Sequence, residues 1–113
     1  MSKTSRDKGK RFELEVVKAL KLFFPDAKRN LEQYQKTDGR DFDHTAPLCV
    51  QAKRRKKVGI NDVTTGYSEA WESADHVYPY PAIVWRSDNC QSMIAMDLDH
   101  FVELLCLMED GEL

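Results

Sequence analysis

The run Leu48-Cys49-Val50-Gln51-Ala52-Lys53 restricts what this chain can become more than any other stretch. It is short and apolar, as a strand inside a sheet must be, yet it carries an amide and an ammonium. Strand alternation puts Cys49, Gln51 and Lys53 on one face and Leu48, Val50 and Ala52 on the other. Burying two such polar groups without partners costs several kcal/mol. The fold must therefore supply a hydrogen-bond network, a water-filled cleft, or a metal and an anion.

The flanking pattern names the elements around that strand. A helix is expected from about Asp7 to Phe24, where Phe12, Val16, Val17, Leu20, Phe23 and Phe24 recur at helical spacing and Pro25 marks the stop. Ala27 to Tyr34 fits an edge strand, Lys36-Thr37-Asp38-Gly39-Arg40 a turn, and Asp41-Phe42-Asp43 the start of a strand that bends at Ala46-Pro47. Asn61 and Asp62 are candidate caps of a second helix that runs through Val63, Tyr67, Ala70, Trp71 and Ala74 to about Asp75. Ala82 to Trp85 and Ser92 to Met96 read as a hairpin across Asp88-Asn89, and Asp99 caps a last helix through Met108. The order helix, three strands, helix, two strands, helix predicts an α/β (α+β) fold, a mixed central sheet flanked by helices. Residues 1–113 suit one domain, with the first six flexible.

No apolar run approaches the ~20 residues that span a bilayer, and no signal-peptide core follows the basic N-terminus. Cys49, Cys90 and Cys106 are odd in number and show no zinc-like spacing, so they read as reduced packing residues. A cytoplasmic location, in a bacterial, archaeal or phage-infected host cell, and no membrane partner are expected. The net charge of −2 hides an asymmetry. Cut after Lys57, the first part holds sixteen of the seventeen Lys and Arg against eight acids, and the second has Arg86 alone against eleven. A basic half of that strength suits a polyanion, although a charge run is by itself more often a solvated face.

Turning the first helix by ~100° per residue puts Glu13 among Val17, Leu20 and Phe24, and Glu15 on the opposite side beside Lys18. Glu13 thus leaves the core-facing stripe near its N-terminal end, where it either reaches water at the rim or is coordinated. Asp41 and Asp43 share one face opposite Phe42. If their strand pairs with the next, acids, amide and amine converge. Phosphodiester hydrolysis uses such a set: carboxylates hold Mg²⁺, which polarises the phosphate, and an amine orients or deprotonates the attacking water. Lys8, Lys10, Arg11, Arg54, Arg55, Lys56 and Lys57 then serve as DNA phosphate contacts.

These residues carry a resemblance. Asp38-Gly39-Arg40-Asp41-Phe42 followed by Val50-Gln51-Ala52-Lys53-Arg54 resembles the metal-binding half of PD-(D/E)xK nucleases, in the glutamine variant familiar from Mrr-type restriction nucleases. Lys8-Gly9 with Glu13 resembles the first helix of archaeal-type and phage Holliday junction resolvases. The resemblance implies a restriction-endonuclease-like core and a homodimer that cuts branched or duplex DNA with Mg²⁺, or Mn²⁺, in recombination or repair. It makes Asp41 the metal ligand, Gln51 the second-position residue, Lys53 the catalytic lysine and Glu13 the helix carboxylate, with Ala52 offering its backbone carbonyl. Asp43 is the rival to Asp41, and Gln51 brings no negative charge. A non-catalytic DNA-binding or assembly subunit, or a restriction-like nuclease, are the competing readings. His44 reads as a solvated turn residue. Trp71, Tyr67 and Trp85 read as core, and Tyr78 stays open between core and base stacking.

Overall fold

The computed structural model describes residues 3–31 and 40–113. Three helices and two sheets make a mixed α/β fold. Helix α1 spans Lys3–Leu20, β1 Lys28–Arg29, β2 Phe42–Asp43, β3 Leu48–Arg54, α2 Ile60–Ser73, β4 Tyr80–Arg86, β5 Met93–Met96 and α3 Leu98–Glu109.

Helix α1 starts earlier than its pattern suggests and stops at Leu20, four residues short of the expected end. The chain keeps coiling, with the Phe24 N–H donating to the Leu20 carbonyl at 2.8 Å, but Leu22 and Phe23 turn outward. Phe12 and Val16 are buried against Phe42, Val50 and Val84, with Val17, Leu20, Leu48 and Ala52 around them. This is the α1 face of the sheet. On the other face, Gly66 and Ala70 let α2 settle close to β3 and β4.

The three-stranded sheet runs β3-β4-β5, parallel then antiparallel. Helix α2 is the crossover between β3 and β4, as a parallel pair requires. The expected hairpin is present, pairing Ala82 with Met96 through to Trp85 with Met93. The expected single sheet is not. β1 and β2 form a separate antiparallel pair, Lys28 opposite Asp43 and Arg29 opposite Phe42. The reason lies at Ala52, whose N–H donates to the Asp41 carboxylate at 2.8 Å. A side chain occupies the position that a backbone carbonyl of β2 would take in a continuous ladder. Of the segment expected as Ala27 to Tyr34, only Lys28–Arg29 is strand, and the part beyond Leu31 lies outside the described residues, as do Lys36 to Gly39 of the expected turn.

Helix caps also differ from expectation. Gly59 precedes α2, and Asp62, in its first turn, accepts from the Gly59 N–H at 3.0 Å. Asp97 rather than Asp99 caps α3, accepting from the N–H groups of Asp99 and His100. Trp71 is exposed and stacks on His100, and Trp85 is half-buried, so neither is the core residue that its spacing suggested. α3 keeps Leu104 inward but leaves Leu98, Phe101, Val102, Leu105 and Met108 exposed, and Met93 and Ile94 of β5 are exposed as well. Among the described residues no helix is long and apolar enough to cross a membrane.

Candidate active site

Among the described residues strand β3 is the edge of its sheet, and Asp41 meets that edge at Ala52. Gln51 is buried and Lys53 half-buried on the α2 face, laterally beside Ile83 and Trp85. Asp41, only 8 % exposed, lies against the edge itself. Burial raises its pKa to about 7. The neighbouring charges of Glu13 and Glu69 add to the rise, against the opposing pull of the Ala52 N–H and of Lys53. In an extended strand the N–H and C=O of one residue point the same way, so the Ala52 carbonyl faces the same edge as Asp41.

The two aspartates of the expected strand face are not equivalent. Asp43 accepts from the Arg40 guanidinium at 3.1 Å, while Asp41 is held by backbone and approached by the other site charges. Glu13 does project from the core-facing side of α1, but its Oε1 accepts from Arg29 Nε at 2.8 Å. Arg29 was not among the expected site residues. Its position in β1, across from Phe42, brings it under α1 through pairing of segments distant in sequence.

Glu69 is a second addition. The Lys53 stem passes over Gly66, where an added Cβ would stand 3.1 Å from Lys53 Cε, and its Nζ lies 3.5 Å from Glu69 Oε1, one turn further along α2. The sequence did hold a signal for this: a glycine on the sheet-facing side of a helix, with an acid three residues on, leaves a channel for a long cation.

The expected DNA contacts divide. Lys10, Lys56 and Lys57 are exposed. Lys8 and Arg54 both meet Asp88, at 3.0 and 2.8 Å, and Arg55 lies 3.7 Å from Asp62. Arg11 is exposed, with its Nε 3.4 Å from the Asp7 carbonyl. The two halves of opposite charge in the sequence are thus partly folded onto each other. His44 is exposed with φ 62°, a turn residue whose N–H donates to the Tyr78 hydroxyl. Tyr78 is buried beneath the Arg40 guanidinium, which settles it as a packing residue rather than a base-stacking one. A wider hollow of about 860 Å³, between Phe23–Asp26, Tyr78 and the C-terminus, is lined by none of the candidate catalytic residues.

Among the described residues, no three His, Cys, Asp or Glu side chains stand together as a ready cation cage. The donors at hand are the Asp41 carboxylate, the Gln51 amide, the Ala52 carbonyl and Glu13. Oxygen donors of this kind are the type that a hard cation takes, and a carboxylate whose ionisation is opposed by burial gains most from one. No protein-family profile, curated protein or solved structure matches this chain.

Proposed function

We propose that the chain is a metal-dependent DNA endonuclease of the PD-(D/E)xK kind, selective for branched DNA in the manner of a junction resolvase. The observation that carries this reading is the Asp41 carboxylate, buried at an open strand edge, pinned by the Ala52 N–H and within electrostatic reach of Glu13, Lys53 and Glu69.

Asp41, Gln51, the Ala52 carbonyl and Glu13 would hold Mg²⁺ or Mn²⁺, which when bound polarises a phosphodiester and acidifies a coordinated water. Glu13 must exchange part of its contact with Arg29 to join them. Lys53 stands on the neighbouring face with its amine tethered loosely to an exposed carboxylate, Glu69, at 3.5 Å. Released from Glu69, that amine orients the attacking water or offsets charge building on the phosphate. Exposed Lys10, Lys56 and Lys57 supply contacts that position the strand without reading its sequence. The apolar side chains that β5 and α3 leave in solvent support a second copy as partner, giving two sites for two strands.

One observation favours the rival reading of a DNA-binding subunit without catalysis: Glu13 is already neutralised by Arg29. Nicking of branched and linear DNA with Mg²⁺ or Mn²⁺ decides between them. Cleavage that depends on both Asp41 and Lys53 is the expected result. DNA binding with no metal-dependent cutting gives the site to the rival, and cleavage that survives Asp41→Ala and Lys53→Ala removes the assigned residues from the chemistry.

A further inference from the structure

Across the sheet from Lys53, on the α1 face, Lys8, Arg11, Phe12, Glu15, Arg54 and Arg86 line a hollow of about 230 Å³. Three elements build it. Arg54 and Arg86 are register partners at the C-terminal ends of the parallel strands β3 and β4, and α1 contributes the rest. Four cations converge on a space that holds several waters at about 30 Å³ each.

Among the described residues, two carboxylates stand against those four cations. Asp88 is shared by Lys8 and Arg54, and Glu15 accepts from Arg86 Nη1 at 3.0 Å. Asp88 is set in place by its turn, its N–H donating to the Lys56 carbonyl at 3.0 Å, while Ser87 accepts from the Val58 N–H. Lys8 and Arg54 hold its carboxyl below the usual carboxylate range. The hollow keeps a surplus of positive charge even with both acids ionised. Convergent guanidinium and ammonium groups in a concave polar site match the oxygens of one phosphate group, which forms charge-assisted bonds with several donors at once.

We infer that this hollow is a phosphate-binding subsite, with Asp88 and Glu15 as internal counterions that an incoming phosphate displaces. Its occupant is a phosphate of a nucleic-acid strand bound beside β3. The subsite deepens the nuclease reading and rests on it only for that source of phosphate. Arg54 follows Lys53 directly but leaves β3 on the opposite face, so a strand held in the hollow is anchored at the C-terminal end of β3 and must pass around that edge to meet Lys53.

The test uses the intact chain without metal. Isotope-labelled protein is titrated with inorganic phosphate and with chloride at equal ionic strength, and a short single-stranded deoxyoligonucleotide is bound over a range of salt. Phosphate, and not chloride, is expected to move the amide resonances of Lys8, Arg11, Arg86 and Asp88. Asp88→Asn should tighten oligonucleotide binding about threefold or more, because a competing counterion is gone. Arg11→Gln and Arg86→Gln should each lower the salt slope by about 0.7, one phosphate on a single strand, and the double variant by little more. Both side chains reach solvent, so these variants leave the core alone. Resonance shifts that phosphate and chloride produce alike, or an affinity unmoved by Asp88→Asn, overturn the subsite without touching metal-dependent cleavage. If inorganic phosphate shifts the resonances while the oligonucleotide does not bind, the subsite stands with a soluble phosphate compound as its source, and the nuclease reading falls.

Discussion

Asp41 lies on the Ala52 N–H of β3 and Asp88 on Arg54 at the end of the same strand, and their pKa values are pushed in opposite directions. Asp41 is buried, its pKa raised to about 7 by desolvation and by the nearby glutamates. Asp88 lies in a hairpin turn with Lys8 and Arg54 bound to one oxygen, its pKa lowered by them. Around Asp41 the acids Asp41, Glu13 and Glu69 outnumber the cations Lys53 and Arg29, and around Asp88 cations outnumber acids. The contrast teaches that residue type alone assigns neither role: the same carboxylate is a site short of a positive partner in one place and a counterion in the other.

The largest expected effect comes from removing the charge on the uncompensated side. A pKa raised above the unfolded value means the folded state favours the protonated carboxyl, so stability falls as pH rises from about 4 to about 7. Asp41→Asn removes that penalty. It should gain up to roughly 4 kcal/mol over the parent above pH 7, a difference that vanishes below about pH 4 in urea melts. The same variant should lose metal-dependent nicking. A variant no more stable at pH 8 than its parent would mean Asp41 is not electrostatically opposed, and the contrast with Asp88 would dissolve.

Lys53→Ala should cost cleavage about 10²-fold or more while DNA affinity changes far less, which single-turnover assays separate from binding. Gly66→Ala comes next. Alanine ordinarily gains about 1 kcal/mol in a helix interior. Here its Cβ would stand 2.5 Å from Ile83 Cδ1 and 3.1 Å from Lys53 Cε. Ile83 is fully buried and has nowhere to retreat. Overpacking costs about 1–3 kcal/mol and outweighs the propensity gain, so thermal melts should show a net loss together with a fall in cleavage as Lys53 is displaced. The smallest effect belongs to the compensated side. Asp88→Asn should change stability little, and only above the lowered carboxylate range where the wild-type ion pairs exist. A side-chain NMR titration in which Asp88 protonates at or above the usual carboxylate range would break the comparison from this end.

The legible part of the molecule was local. Alternation along β3 separated Gln51 and Lys53 from Val50 and Ala52, and the turn of α1 separated Glu13 from Glu15, because both depend only on backbone period. What stayed hidden depends on long-range placement. Arg29 reaches Glu13 across sixteen residues and Lys53 reaches Glu69 across sixteen. Lys8 meets Asp88 across eighty. That last pairing, with Arg54 on the same aspartate, is why an excess of positive charge read along the chain overstated the excess in space. Trp71 shows a further limit: helical spacing identifies an apolar stripe but not whether the neighbouring element is wide enough to cover it. The break between the two sheets had no signal in either strand, since it follows from one side chain taking a backbone donor.

That substitution of side chain for strand has a colloidal consequence. β3 is seven residues long and, among the described residues, ends its sheet, the kind of edge onto which an extended segment of another molecule adds to start an aggregate. With the Ala52 N–H taken by Asp41, a fresh strand would have to evict a carboxylate and place its own carbonyl beside one. The group proposed to serve the chemistry therefore also guards the solution behaviour of the chain.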